Sequence, residues 1–247
     1  MNKKNVVITG ANRGIGNSLM VAFAESGYNV WPVVRNLDDK LQRQIDDLKK
    51  ESDIWIDPIV WEGLDNQDSV KKAAEEILSK EKPIDVLINN AGIAHTKLFI
   101  MTNVNEMKRI FDVNYWGSLL FTQQISKRMI RQKYGKIINL ASVRGIKPEA
   151  GNIAYGTSKA AIIYATKVLA IELGNYNICV NAVAPGMIPT DINANKSEKI
   201  KQQIIENSAL HRFGNLQDVV ETVMFLAGET GDFITGQILS IDGGYAL

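Results

Sequence analysis

Short runs of consecutive apolar residues alternate along this chain with longer segments of helical apolar periodicity. The short runs are rich in β-branched residues and predict buried strands, whereas the longer segments predict amphipathic helices. Apolar strands that alternate with helices are typical of a parallel sheet covered on both faces. The pattern therefore predicts an α/β fold, a single Rossmann-type doubly wound parallel sheet of about seven strands with helices on both faces. The predicted strands are residues 5–9, 29–34, 55–60, 85–90, 136–141, 178–184 and 238–242.

Helical periodicity is clear in residues 17–27 and 68–80, and in a long run from Asn103 to Lys133. Two prolines, Pro32 and Pro58, fall inside predicted strands. Because proline cannot donate a ladder hydrogen bond, each predicts a sheet edge or a bulge.

No linker-like stretch, composition break or internal repeat divides the chain, which predicts a single domain over residues 1–247. The least regular segment spans about 186–212, with a helix-like stretch from Ser197 to Asn207. A long polar connection in a compact domain is often functional, so this segment is predicted to bind substrate.

Composition narrows the functional classes. Hydrophobic residues make up 45% of the chain and charged residues 22%, and the formal net charge is +1. This balance fits a globular protein and argues against nucleic acid as a partner. No apolar stretch approaches the roughly 18 residues of a membrane span, and the N-terminal apolar run is too short for a signal peptide. A single cysteine, Cys179, fits a reducing compartment, so a cytoplasmic protein without a metal site is predicted.

A glycine-rich segment, VVITGANRGIG, follows the first predicted strand and opens the first helix. Glycines permit a tight turn and let a pyrophosphate approach the backbone and the helix N-terminus. An ordinary strand–helix turn could also contain three glycines, but this position in an α/β chain favours dinucleotide binding. The predicted contacts are Gly10, Asn12, Arg13, Gly14, Ile15 and Gly16.

The end of the second predicted strand bears on the choice of dinucleotide. An acidic residue there would bind the ribose hydroxyls of NAD, whereas Arg35 stands at this place. A guanidinium can pair with a 2′-phosphate, and Arg13 is a second candidate. Asp38 and Asp39 are better placed to cap the next helix. The sequence thus favours NADP(H) and leaves NAD(H) open.

Tyr155 and Lys159 stand four residues apart in AYGTSKAA, so they share one face of a predicted helix. Alone, this pair fits a surface contact as well as an acid and the cation that tunes it. Several segments together resemble the short-chain dehydrogenase/reductase family, in its subgroup of about 250 residues. They are TGANRGIG at 9–16, NNAG at 89–92, Asn114 in FDVNYWG, Ser142 in NLASV, YGTSK at 155–159, PG at 185–186 and the terminal DGG at 242–244.

The resemblance implies a catalytic set of Asn114, Ser142, Tyr155 and Lys159. Tyr155 would protonate the carbonyl oxygen, and the Lys159 cation would lower the pKa of its phenol. Ser142 would donate a hydrogen bond to that oxygen. Asn114 would hold a water that links Lys159 to solvent, and Lys159 would also bind the nicotinamide ribose.

Further contacts are implied around the nicotinamide and the substrate. His95 is equally read as an exposed loop residue and Arg144 as a surface residue. The residues implied to bind the nicotinamide end are Asn89, Ala91, Gly92, Pro185, Gly186, Ile188 and Thr190, and those implied to contact substrate are His95, Arg144 and Met187.

APGMIPTD at 184–191 and HRFGNLQDV at 211–219 most resemble the 3-oxoacyl-(acyl carrier protein) reductases of this family. Two features depart from the pattern. Gly63 and Leu64 stand where the family often has an aspartate that contacts adenine. Lys133 matches one basic position beside the active site, but Ile171 and Tyr176 stand where others would be, which weakens the case for acyl carrier protein as a partner.

The resemblance implies an NADPH-dependent oxidoreductase that reduces a ketone, such as a 3-oxoacyl thioester, to a secondary alcohol, and it implies a homotetramer. A dehydrogenase of a sugar or small alcohol is the alternative. A non-catalytic nucleotide sensor would typically lack the Tyr155–Lys159 pair. A sugar-nucleotide epimerase would need a larger C-terminal region.

Overall fold

The computed structural model describes residues 3–189 and 198–247. Their strands are β1 (Asn5–Thr9), β2 (Asn29–Val34), β3 (Ile59–Val60), β4 (Val86–Asn89), β5 (Gly135–Leu140), β6 (Ile178–Pro185) and β7 (Ile238–Ile241). All neighbours pair in parallel, in the order β3-β2-β1-β4-β5-β6-β7. The predicted doubly wound parallel sheet is confirmed.

Helices cover both faces of the sheet. They are α1 (Gly14–Glu25), α2 (Asp39–Glu51), α3 (Gln67–Ser79), α4 (Val104–Phe111), α5 (Ser118–Gln132), α6 (Ile153–Gly174), α7 (Glu198–Glu206) and α8 (Leu216–Ala227). Alternate residues of β1 point to opposite faces, so Ile8 packs in one core cluster with Phe23 of α1, and Val7 packs in the other with Phe121 of α5. Each fully buried large side chain contributes about 1.5–3 kcal/mol, and the two clusters together hold the glycine-rich turn at the end of β1.

The third strand is shorter than predicted, and a proline explains why. Only Ile59–Val60 pairs as a strand, preceded by an isolated bridge from Ile56 to Val30. Pro58 lies in the gap, at the edge of the sheet. Pro32 lies neither at an edge nor in a bulge: it pairs in register with β1, inside β2. Val30 and Val34 bond towards β3, so the ring nitrogen of Pro32, which carries no N–H, faces the same gap.

The long helix predicted from Asn103 to Lys133 is divided. Between α4 and α5 the residues Asp112–Gly117 form a π-helical turn. π-turns widen a helix locally and occur frequently at functional sites. Here the widened turn contains Asn114, and it brings Gly117 so close to the chain after β3 that a Cβ there would lie 2.1 Å from the carbonyl oxygen of Leu64.

The strand order reverses at β1, because the chain proceeds from β1 to one edge and then from β4 to the other. In open α/β sheets, ligands bind beyond the carboxyl ends of the strands at this point. Within the described ranges, no helix is long and apolar enough to cross a membrane.

Candidate active site

A cavity of about 420 Å³ lies beyond the carboxyl ends of β1, β4, β5 and β6. It extends from Arg35 and Asp65 at one end to Tyr155 and Tyr245 at the other. The position is the one that the strand order predicts for a bound ligand.

The glycine-rich turn forms one wall. Gly10 and Gly14 have positive φ angles of 71° and 56°, which glycine adopts at little cost. Five predicted residues of the turn line the cavity: Gly10, Asn12, Arg13, Gly14 and Ile15. Gly16 does not, contrary to its predicted contact with cofactor. A Cβ on Gly16 would lie 2.2 Å from the carbonyl oxygen of Gly10, so this glycine lets α1 pack against the turn from behind.

The segment after β4 corrects another prediction. Asn89 does not line the cavity: its side chain is buried and its Nδ2 donates to Thr122 and Asn139, each at 2.8 Å. Asn89 is the last residue of β4 and points into the core, whereas the next residue, Asn90, faces the cavity. The Nδ2 of Asn90 donates to the carbonyl oxygens of Thr9 at 2.9 Å and Gly10 at 3.1 Å. Strand alternation continued to Asn90 could have identified it from sequence.

Ala91 and Gly92 line the cavity next to Asn90, as predicted. The hydroxyl oxygen of Thr9 accepts hydrogen bonds from the backbone N–H groups of Asn90 and Ala91, both at 3.0 Å. These bonds fix the two turns at the switch point relative to each other.

Ser142 and Tyr155 meet at the far end. Ser142 follows β5 and caps a short 3₁₀ turn, Val143–Gly145, and Tyr155 lies in the first turn of α6. The Ser142 hydroxyl interacts with the phenol of Tyr155. Burial raises the pKa of Tyr155, while the bond to Ser142 and the positive charge of Arg144 oppose this rise.

Lys159 lies one helical turn beyond Tyr155. Its Nζ donates to the carbonyl oxygen of Leu140 at 2.5 Å and lies 5.9 Å from the centre of the Tyr155 ring. Burial lowers the pKa of Lys159 to about 8. Arg144 is a second cation that acts on Tyr155 in the same direction, and the effect of Lys159 on the pKa of Tyr155 stays a prediction.

Asn114 is buried beneath this pair. Its Nδ2 donates to the carbonyl oxygen of Ile93 at 2.9 Å and to the Ser158 hydroxyl at 3.0 Å, and its Oδ1 accepts from the Ile93 N–H at 2.8 Å. Both amide hydrogens are therefore used. A Cβ on Gly92 would lie 3.1 Å from this Oδ1 and 3.6 Å from Lys159 Nζ, so the missing side chain at Gly92 keeps space open beside both groups.

The loop after β6 closes the cavity from another side. Pro185, Gly186, Met187 and Ile188 all line it, and Thr190 lies outside the described residues. The N–H of Gly186 donates to Ile241 at 2.9 Å, which ties this loop to β7.

Comparison with known proteins decides the family. The family model described as enoyl-(acyl carrier protein) reductase matches residues 10–246. The chain belongs to the short-chain dehydrogenase/reductase family. It is thus an oxidoreductase, and the predicted family is confirmed.

Relatives in this family include 3-oxoacyl-[acyl-carrier-protein] reductase FabG of Staphylococcus epidermidis, which is 37% identical over 98% of both chains. Two solved structures are also similar. ElxO with NADP bound shares 31% identity and a TM-score of 0.87 over 99% of both chains. A 3-oxoacyl-[acyl-carrier protein] reductase from Brucella melitensis with bound NAD shares 29% identity and a TM-score of 0.89, over 100% of this chain and 92% of the other.

The adenosine end of this family member carries a local substitution. A Cβ on Gly63 would lie only 2.9 Å from Oδ1 of Asp65, so the Asp65 carboxylate fills the space that a side chain at position 63 would enter. Its Oδ2 lies 3.5 Å from Nε of Arg109. Asp65, two residues after Gly63, thus brings a carboxylate to this end of the cavity. Asp38 caps α2, accepting from the Leu41 N–H at 2.8 Å, which leaves Arg35 at the end of β2 as predicted.

The three predicted substrate residues are placed differently. Met187 and Arg144 line the cavity, but His95 does not: its Nε2 lies 3.4 Å from Oε1 of Glu106. Tyr245, which the sequence analysis missed, lines the cavity beside Arg144. No local pattern identifies it, because the contact joins residues that are 101 positions apart.

Proposed function

We propose that this protein reduces a ketone to a secondary alcohol with NADPH, and that Tyr155 is the general acid. The observation that carries the proposal is that Ser142, Tyr155 and Lys159 line one end of a cleft whose other end is a glycine-rich turn. A phenol and a hydroxyl converging on one point can stabilise and then protonate a carbonyl oxygen.

Bound nicotinamide supplies the hydride that adds to the carbonyl carbon. Tyr155 transfers its proton to the oxygen as negative charge develops there, and Ser142 donates a hydrogen bond to the same oxygen. Tyr155 then regains a proton from solvent. Arg144 stabilises the transient phenolate, because its positive charge lowers the pKa of Tyr155.

Lys159 and the glycine-rich turn would hold the cofactor. The backbone at Gly10, Gly14 and Ile15 fits a pyrophosphate, since these residues line the cavity where α1 begins. We place the nicotinamide end against Ala91, Gly92 and the 185–188 loop, and the ribose near Lys159.

The preference for NADP(H) rests on Arg13 and Arg35, which line the adenosine end where β2 provides no carboxylate. Arg35→Ala should weaken NADPH binding by about tenfold, the value of one charge-assisted contact, and NADH binding far less. Fluorescence titration of both cofactors measures the ratio, and an unchanged ratio contradicts the assignment.

A 3-oxoacyl thioester is the proposed substrate type, supported by the names of the relatives at 36–37% identity. Delivery by acyl carrier protein is less well supported, because the exposed residue on α6 where a basic side chain would help is Ile171. Exposed apolar side chains on α6, Tyr164 and Ile171, fit the homotetramer that the resemblance implies, and light scattering on the purified protein tests it.

The deciding experiment offers the purified protein NADPH or NADH with acetoacetyl thioesters, keto sugars and simple ketones. Oxidation of the cofactor with matching formation of alcohol supports the proposal. Tight cofactor binding without reduction of any of these compounds favours a nucleotide sensor instead.

A further inference from the structure

The catalytic end of the cleft has an excess of positive charge. Among the described residues that line the cavity, the cations nearest the Tyr155 end are Arg144 and Lys159, and the single lining carboxylate, Asp65, lies at the adenosine end beside Arg109. A substrate bound next to Tyr155 therefore meets cations and no described lining carboxylate.

Arg144 is built into this end rather than lying on the surface. Its side chain is only 10% exposed. Nη2 lies 2.6 Å from Oε2 of Glu149, and Nη1 donates to the Tyr245 hydroxyl at 3.2 Å. The plane of a guanidinium carries five N–H groups, and these two contacts use two of them. The remaining donors have capacity for a ligand in the cleft that Arg144 lines.

The surroundings hold Arg144 in place without neutralising the whole cluster. Lys147 donates to the backbone oxygen of Tyr245 at 2.6 Å, and its Nζ lies 4.6 Å from the centre of that ring. The guanidinium of Arg144 lies 5.1 Å from the same ring centre. Arg144 and Lys147 thus both lie against the ring of Tyr245, and Glu149 pairs with Arg144.

The position of Arg144 relative to the chemistry is set by the 3₁₀ turn that begins after Ser142. The N–H of Arg144 donates to the Ser142 hydroxyl oxygen at 3.2 Å, so the two residues move as one unit. The influence of Arg144 on the pKa of Tyr155 indicates the same proximity.

We propose that Arg144 is a substrate-specificity residue that binds a carboxylate next to the reacting ketone, so that short oxo acids are preferred over their neutral esters. This inference rests on the proposed ketone reduction but not on the thioester as substrate: it names the free oxo acid as a second substrate class, because reduction of a ketone needs no such cation. Arg144 is suited to the task, since its planar donors match the geometry of a carboxylate.

The test compares matched pairs of substrates with NADPH: acetoacetate against methyl acetoacetate, and pyruvate against methyl pyruvate. In at least one pair the acid should have a kcat/KM roughly 10- to 100-fold above its ester, the range expected for a charge-assisted hydrogen bond. Equal or higher values for the ester in both pairs overturn the proposal.

Variants then assign the preference to one side chain. Arg144→Met should bring the acid-to-ester ratio close to one, and Arg144→Lys should retain part of it. Lys147→Met is the matched control: it removes a neighbouring cation that does not line the cavity, and it should keep the ratio. The ratio is measured on one preparation, so partial misfolding of a variant does not affect it. An unchanged ratio in Arg144→Met, or an equal loss in Lys147→Met, refutes the assignment.

Failure of the inference and failure of the proposed function are distinguishable. If esters and acids are reduced equally, the proposed ketone reduction is supported and the proposed role of Arg144 is refuted. If no compound is reduced with either cofactor, the proposed function falls, and calorimetric titration of acetoacetate into the NADPH-saturated protein still decides about Arg144. Binding that weakens roughly tenfold or more in Arg144→Met, but not in Lys147→Met, supports the site, and equal binding overturns it.

Discussion

Replacing Gly16 by alanine should damage the cofactor turn although Gly16 does not line the cavity. The new Cβ would lie 2.2 Å from the Gly10 oxygen and 2.4 Å from Asn90 Nδ2, well inside the 3.0 Å below which Cβ contacts are essentially never seen. Gly10 belongs to the turn and Asn90 is hydrogen-bonded to it, so the turn must shift by close to an ångström. The two hydrogen bonds from Asn90 to Thr9 and Gly10 would be strained or lost.

The magnitude follows from three contributions. Overpacking costs about 1–3 kcal/mol, the two hydrogen bonds contribute about 1 kcal/mol each, and alanine gains about 1 kcal/mol of helix propensity over glycine. The free energy of unfolding should therefore fall by about 2–4 kcal/mol. NADPH binding should weaken as well, because the displaced backbone at Gly10 faces the cavity.

Urea denaturation and fluorescence titration with NADPH measure the two effects. Gly174→Ala is the matched control: this glycine ends α6 and a Cβ there meets nothing within 4 Å. That variant should be neutral or slightly stabilised, with unchanged affinity for NADPH. If Gly16→Ala behaves like Gly174→Ala, the steric reasoning about the turn is refuted.

Three further changes test the catalytic end and the opposite end of the sheet. Tyr155→Phe should lower kcat by a factor of roughly 100 to 10,000, the usual contribution of a general acid, with NADPH affinity nearly intact; near-normal turnover would exclude Tyr155 as the acid. Lys159 has a pKa of about 8, below its usual 10.5, so folding carries a penalty on the order of 3 kcal/mol that is fully present below pH 8 and relieved as the pH rises towards 10.5. The stability of the wild type relative to Lys159→Met should accordingly rise by about that amount between pH 7 and pH 10.5 in thermal melts without cofactor, and a flat difference would contradict the lowered pKa. Asp232→Asn should lower the free energy of unfolding by about 3 kcal/mol, more than Lys136→Met does. Asp232 is half exposed and lies 2.7 Å from the ammonium of Lys136, which is only 2% exposed and would stay buried without its partner. The reverse order in denaturant titrations would speak against a buried, paired lysine.

Periodicity and local turn chemistry made the sheet predictable. Six of the predicted strands agree with the structure to within about one residue at each end, because strand content follows from apolar runs. The exception, β3, failed at Pro58, where loss of a donor outweighed the apolar pattern. The π-turn around Asn114 was not predictable, since it depends on contact with Leu64 across the fold.

In the candidate site, too, local patterns were predictable from the sequence and contacts across the fold were not. Spacing alone placed Tyr155 and Lys159 on one helix face, and this is how they lie. It could not reveal that the Lys159 ammonium donates to Leu140 or that Arg144 supplies the nearby positive charge. The motif NNAG drew attention to Asn89, although its second asparagine faces the cavity. Contacts made by Asp65 and Tyr245 depend on how distant turns meet, for which single-sequence patterns carry no signal.

The interrupted β3 has a consequence for the behaviour of the protein in concentrated solution. An outer strand with free N–H and C=O groups can template the addition of another chain, which is a common start of aggregation. Here the outer strand offers a paired stretch of only two residues, Ile59–Val60, beside Pro58. If that short strand detached, the newly exposed β2 would present Pro32 in its middle, on the side that faces outwards. Two features thus protect this edge of the sheet from the addition of another chain. The outer strand, β3, is short, and the next strand, β2, lacks a backbone donor at Pro32.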